Sequence, residues 1–402
     1  GRSFQSLIHL SPGVVVTRST GAAPGQFIVN GQRNNANYIM VDGVSANFAA
    51  SPYRWWGQSA SGAIPAFDVL GGTNGIVSVD AMQEFHIQTS SIAPEYGRTP
   101  GAQISIITRS GSNAIHGSGF EYVRNDVFDA RNWFNVVPQP KPPLRQNDSG
   151  ATLGGPIRKN RTFGFNSYEG LRLQEPKSGS ANVLTVEARA KAAPVFQALV
   201  NAFPIPNGPA NPDGFTAQLT GAFSDPSRLD ATSLRIDHQV TDRVTVFGRY
   251  SHAPSSQGAR AFSQLKTDSS FLDMVTGGAT ILFTPRVVND FRANWSRALA
   301  REDYSIESTW GAIAPPDSAL FGDTRNPNSS GAAFSVGYTS SVRVPEHDGR
   351  TPSTGPEVRG YHARPPHQPP ACPERSTRFA TAGRSTTSEP AILLCRIGIE
   401  PN

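Results

Sequence analysis

Cysteine is nearly missing from this sequence. Of 402 residues only Cys372 and Cys395 carry thiols, both near the C-terminus, so no disulfide framework staples the main body. Charge is sparse too, at 17% of residues, which argues against long solvated helices. No apolar run reaches the ~18 residues that a membrane-crossing helix needs. That absence leaves strands free to cross, because a barrel strand needs only ~10 residues of alternating character. A net charge of +5 invites a nucleic-acid reading, yet Lys and Arg are scattered with no basic stripe, and no nucleic-acid partner is expected.

Chemistry is lacking as well. His86 and His116 stand apart from any Cys or Asp arrangement of recognisable spacing, and Gly154, Gly155 and Pro156 lack the Lys followed by Ser or Thr that a phosphate loop requires. His362, His367, Cys372 and Cys395 match no compact zinc pattern. Neither an enzyme, a cofactor nor a metal is expected. The chain opens on Gly1 with no Met and no signal peptide, so a mature chain or a fragment is expected.

What the sequence does have is turns and short β-prone runs, with 38 Gly and 33 Pro. Phe27, Ile28 and Val29 lead into Asn30 and Gly31, and Tyr38 to Val41 lead into Asp42 and Gly43. Both dipeptides suit turns with positive φ, so each run reads as a strand ending in a tight turn. The link Asn34 to Asn37 suits a loop, since short amide side chains bond nearby backbone. Asp80, with Gln83 three residues on, reads as the N-cap of one short helical turn. Strands follow at Phe85 to Gln88 and at Gln103 to Thr108. Residues 1–113 thus read as a small α/β domain.

Beyond Asn113 the texture becomes strand, turn, strand. Gly117 to Arg124 sets Phe120 and Tyr122 on one side. Arg161 to Leu173 holds Phe163 and Phe165, with alternation breaking near Ser167 and Tyr168. A hairpin from Asp230 to His252 turns near Thr241 and Asp242, and another turns at Thr284, Pro285 and Arg286. The latter's second strand puts Val287, Phe291, Ala293 and Trp295 on one face and Asp290, Arg292, Asn294 and Ser296 on the other. A membrane barrel requires such sorting; a soluble antiparallel sheet with one face on a core produces the same alternation. Glu187 to Asn201 is Ala-rich and helical in character, interrupted by Pro194, and Pro138 to Pro143 is a proline-rich loop. After about Pro345 neither periodicity survives, and 346–402 reads as a low-complexity, disordered tail.

The stretch from Phe27 to Val44 resembles the plug domain of TonB-dependent outer-membrane receptors. Arg2 to Leu7 and Ser11 to Val14 look like the entry into that plug, and Ala81 to Phe85 with Glu95 to Arg98 like its middle. Thr108 to Asn113 followed by His116, Gly117 and Ser118 look like the plug-to-barrel junction of the Oar-like branch. Leu153 to Pro156, Phe163 to Arg172 and Asp237 to Asp242 extend the likeness into the barrel. The resemblance implies a mainly β chain: a plug at 1–113, the N-terminal portion of an antiparallel transmembrane β-barrel at 114–345, and the tail. Room for ~8 to 10 strands falls short of the 22 with which such transporters close, so an incomplete barrel is expected.

It also implies a receptor in the outer membrane, surrounded by its lipid. Such a receptor binds a scarce small molecule, oligosaccharide or peptide outside the cell. The TonB complex opens it by pulling a segment ahead of the plug, which is expected to lie outside this chain. Tyr53, Arg54, Trp55 and Trp56 are the candidate ligand contacts, because aromatic rings beside an Arg stack on sugars or cofactors and pair with anions. Packing of the two Trp against the barrel wall is the competing reading. A soluble extracellular β-rich carbohydrate-binding or adhesive protein remains the alternative function.

Overall fold

The computed structural model describes residues 3–16, 27–33, 36–48, 65–90, 92, 100–131, 141, 143–284, 287–316 and 318–319, together with the backbone of four further strands between 332 and 397. The chain begins with helix α1 (Gln5–His9) and strands β1 (Val14–Val16) and β2 (Phe27–Val29), which pair antiparallel. Next come β3 (Tyr38–Val41), β4 (Val44–Ser45), β5 (Met82–Gln88) and β6 (Gln103–Thr108), forming a sheet of order β4-β3-β6-β5 in which β3 and β6 run parallel. The expected turns are present. Asn30 and Gly31 have φ of 50° and 74°, Asp42 and Gly43 of 49° and 83°. Two successive left-handed residues make the turn between β3 and β4 follow the right-handed strand twist. Asn37 stitches the pieces, donating to the Phe27 carbonyl at 2.7 Å and accepting from the Ala102 N–H at 3.0 Å.

One local expectation fails. Asp80 lies inside a 3-10 turn, Val79–Ala81, whose N-cap is Ser78 without a side-chain bond, and Gln83 already belongs to β5. Pairing of β5 with β6 begins at Met82, and the sheet takes the residues that a longer helical turn needs.

The second body is a meander of β7 (His116–Asn125), β8 (Arg145–Arg158), β9 (Thr162–Leu184), β10 (Thr216–Thr241), β11 (Val244–Ala261), β12 (Gln264–Thr284) and β13 (Val287–Ile306). Every neighbour pairs antiparallel with its successor. After β14 (Ala332–Val336) and β15 (Val342–Val344), β16 (Thr351–His362) adds an eighth strand beside β13. β17 (Leu394–Ile397) pairs with β14. β16 and β17 fall where no alternation was visible and no structure was expected. A sheet edge supplies unpaired backbone groups that any extended segment satisfies, whatever its side-chain pattern. Among the described residues β7 and β16 do not pair, so the wall is open.

Turns at one end of the wall are short, between β10 and β11 and between β12 and β13. The opposite end carries the longer β9–β10 connection with α2 (Val186–Ala190) and α3 (Gln197–Val200), and Pro194 opens a 3-10 turn between them. Thr185 caps α2 by accepting from the Ala188 N–H at 3.1 Å. In an outer-membrane barrel short turns face the periplasm and long loops the exterior.

The face of the wall that meets the plug is fixed by contact. Phe165, Leu171, Leu229, Leu272, Met274, Ala298 and Ala300 share one buried cluster with Phe4, Ile8, Phe67, Ile76 and Val77 of the plug. Each fully buried Phe or Leu side chain contributes about 1.5–3 kcal/mol. Phe120 and Tyr122 also lie on this inner pleat, in register with Gly150 and Asp148, and their rings are 5.6 Å apart. The break near Ser167 and Tyr168 proves to be one of polarity, since Ser167, Glu169 and Leu171 are buried while Tyr168 is exposed.

Outward, the rows read Leu234, Tyr250, Val275 and Trp295, then Phe291 and Ala279 nearer the short turns. Phe291 and Trp295 are 40% and 41% exposed, while the Arg292 side chain turns inward, 19% exposed. One row above Tyr250 the outer face carries charge in pairs, with His252 bonded to Asp273 at 2.7 Å. This sorting predicts that Val275→Arg, in the middle of the apolar rows, destabilises the protein folded in lipid vesicles by about 2–4 kcal/mol. Denaturant unfolding from vesicles measures it; an unchanged midpoint contradicts a lipid-facing position.

Candidate functional site

The richest polar constellation lies between plug and wall. Asp42 sits in the left-handed turn after β3, and its carboxylate, 2% exposed, is enclosed on three sides. It accepts from the Thr108 N–H at 3.0 Å, from the Thr108 hydroxyl at 2.9 Å and from Arg235 Nη1 at 2.9 Å. Thr108 ends β6 where the chain leaves the plug, and Arg235 projects from the inner pleat of β10. One carboxylate therefore joins the turn, the junction and the wall. Arg235 is in turn oriented by Asp237, at 2.8 Å from Nη2, and stacks on Phe247, 4.6 Å from the ring centre. Arg292 approaches the same ring, at 5.1 Å.

Glu169, fully buried on β9, accepts from Asn74 Nδ2 at 3.0 Å and from the Ser78 hydroxyl. Arg249, buried on β11, donates to the Ile76 carbonyl at 3.0 Å and to the Ser233 hydroxyl at 3.1 Å. Higher on β11, Ser255 accepts from the Val69 N–H at 3.1 Å. Past the plug, the junction runs so close to the wall that a Cβ on Gly111 would lie 2.4 Å from the Gly164 carbonyl and 2.7 Å from that of Gly155. Only glycine fits at position 111.

Tyr53, Arg54, Trp55 and Trp56 lie outside the described residues, as do Glu95 to Arg98. His86 is on β5, and His116 opens β7 beside Phe165, their rings 6.5 Å apart. No group of His, Cys, Asp or Glu capable of holding a metal occurs among the described residues. Asp42 and Thr108 belong to stretches that carried the resemblance. Glu169, Arg235 and Arg249 were not foreseen as site residues. The loss of alternation beside Glu169 was the one available signal.

Burial pushes the Asp68 carboxyl above its ordinary value near 3.8, against the N–H groups of Gly72 and Leu70 that bond it. An acid whose folded value is raised favours the protonated fold. Its contribution is complete below the unfolded value and declines as pH rises toward the folded one. Asp68→Asn is therefore expected to flatten the fall in plug stability above ~pH 4, read by chemical denaturation across pH. Arg235→Met strands Asp42 without its cation, and about 3 kcal/mol of plug docking is expected to be lost. Amide exchange at Thr108 and β3 reports it, and unchanged protection there excludes the latch.

Comparison with known proteins now adds to this geometry. A family model described as "Outer membrane beta barrel domain" matches residues 107–354. The TonB-dependent transporter Oar of Myxococcus xanthus is 30% identical over 194 residues, covering 46% of this chain and 16% of that protein. The outer membrane transporter YddB of Escherichia coli superposes with a TM-score of 0.51 at 11% identity, over 85% of this chain and 40% of that one, a likeness of fold. The chain thus spans well under half the length of either protein. Because the family match takes in more than half of the chain, and the wall it covers turns apolar rows outward and a docked plug inward, the chain belongs to the outer-membrane β-barrel domain family and resides in the outer membrane.

Proposed function

We propose that this chain supplies the plug and adjoining wall of a transporter that binds a ligand outside the cell and imports it by energised displacement of the plug. The observation that carries the proposal is the plug–wall surface itself. Its apolar part mixes Ala231, Ala253, Ala298 and Ala300 with larger side chains such as Phe165 and Leu272, and its polar part consists of separate non-covalent bonds to Glu169, Arg235, Arg249 and Ser255. Each such bond has a net worth of only about 0.5–3 kcal/mol, because water replaces it when the surfaces part. A plug held this way is removable by a pull, with no covalent step. TonB is the proposed source of that pull, acting through a segment ahead of the plug. The relative Oar, described as a TonB-dependent transporter, supports this reading.

Ligand contact is proposed for Tyr53, Arg54, Trp55 and Trp56. Support comes from the residues that flank them. β4 runs away from the short-turn end, Ala46 and Ala66 are hydrogen-bonded at 2.8 Å, and Val69 reaches Ser255 high on the wall. Phe48 and Pro65, the described residues that border this segment, thus stand next to anchors on the side of the wall away from the short turns. The ligand class proposed is a small molecule, oligosaccharide or peptide with an anionic or ring-bearing group.

The protein is expected in the outer-membrane fraction, with a gel mobility that changes on boiling. Trp55→Ala with Trp56→Ala is expected to weaken ligand uptake about tenfold or more while leaving plug protection intact. Normal uptake with a loosened plug would instead make the two Trp packing residues.

A further inference from the structure

The outer face of the wall carries a concavity on the side away from the plug. It encloses about 450 Å³ and is lined by Arg145, Asn147, Arg172, Gln174, Arg228 and Ser256, together with neighbouring backbone. Register puts these residues on the outward pleat. Arg228 stands opposite both Arg172 and Ser256, two places from Asp230, and Arg145 stands opposite Gln174. The inward residues that alternate with them, Leu171 and Leu229, are the ones packed toward the plug.

Height follows from the same register. Ser256 lies 12 residues beyond Val244 on β11, counted as 256 minus 244. That is ~40 Å of strand and, at a tilt near 40°, about 30 Å of rise. The apolar band of an outer-membrane barrel is about 25 Å tall. The concavity therefore opens just above the hydrocarbon, on the side of the long connections, at the level of outer-leaflet headgroups.

Its charge is unbalanced. Three guanidinium groups face one carboxylate, Asp230, which accepts from Arg172 Nη2 at 2.7 Å and from Arg228 Nε at 2.8 Å. Asp230 thus fixes both arginines; Arg172 Nη1 is also taken by the Leu171 and Leu229 carbonyls, so it is Arg228 that keeps unused donors. The terminal nitrogens of Arg228 and the whole Arg145 head have no hydrogen-bonded partner among the described residues, and Arg228 is 63% exposed. Of the outward carboxylates farther round the wall, Asp273 and Asp303 are engaged by His252 and Arg301.

We infer that this concavity binds the phosphate of an outer-leaflet lipid headgroup. Phosphate accepts the paired N–H groups of a guanidinium fork, a charged bidentate match that a neutral sugar does not offer. The neighbouring apolar rows, including Tyr250 and Val275, receive the acyl chains of the same molecule, which free phosphate does not possess. The inference rests on the barrel assignment alone and is independent of ligand and TonB.

The test is lipid retention by the full-length protein purified from outer membranes in mild detergent, measured by native mass spectrometry. Arg145→Gln with Arg228→Gln is expected to lower retention of phosphorylated lipid roughly thirtyfold. Arg145→Gln alone, which breaks no described bond, is expected to lower it about fivefold and serves if the double variant misfolds. Lys159→Gln, at the short-turn end, is the control and leaves retention unchanged. Equal retention of dephosphorylated lipid, an equal loss with Lys159→Gln, or complete displacement by millimolar inorganic phosphate would each overturn the assignment.

Discussion

A carboxylate that water does not reach ties this structure together. Asp42 is held by the Thr108 backbone, the Thr108 hydroxyl and Arg235, so three separate parts of the chain meet on one side chain. Removing Arg235 leaves the Asp42 charge uncompensated in a poorly hydrated place, which is far more costly than losing a surface pair. The constraint propagates. Asp42 must occupy a left-handed turn, Thr108 must end β6 beside it, and β10 must present Arg235 on its inner pleat. This interaction ties the depth of the plug to the register of the wall.

The wall obeys a second constraint from its other side. Strand side chains alternate strictly, so fixing Arg235 inward fixes Leu234 and Ile236 outward, and pairing passes that choice from strand to strand. Lipid tolerates it because the outward residues around Tyr250, Val275 and Trp295 are apolar. Inside, the requirement is looser. The plug accepts Phe165 and Leu272 as readily as Glu169, provided each polar atom finds a partner on the plug. The inner face is therefore mixed, whereas the outer face is dominated by apolar side chains in the rows of Leu234, Tyr250, Val275 and Trp295. Above those rows charged residues reappear, first as pairs and then as the arginine-lined concavity.

Much of this was legible in the amino-acid order. The hairpins closing at Thr241 and at Thr284 announce themselves by apolar and charged residues in alternation, and Phe291 and Trp295 face outward as their spacing requires. The Asn30–Gly31 and Asp42–Gly43 turns follow from backbone sterics that act over two residues and need no partner. The helical turns around Pro194 are equally local. Asp80 shows the limit: a capping pattern competes with strand pairing at Met82, and pairing is decided by residues elsewhere in the chain.

What the order of residues determined by itself was the local geometry: which segments extend, where they turn, and that two faces differ. Which face meets protein, which carboxylate accepts from which arginine, and why Gly111 must lack a side chain were decided only when the plug docked. Those facts depend on atoms brought together from positions as far apart as Asp42 and Arg235, and periodicity along a chain carries no record of such distances.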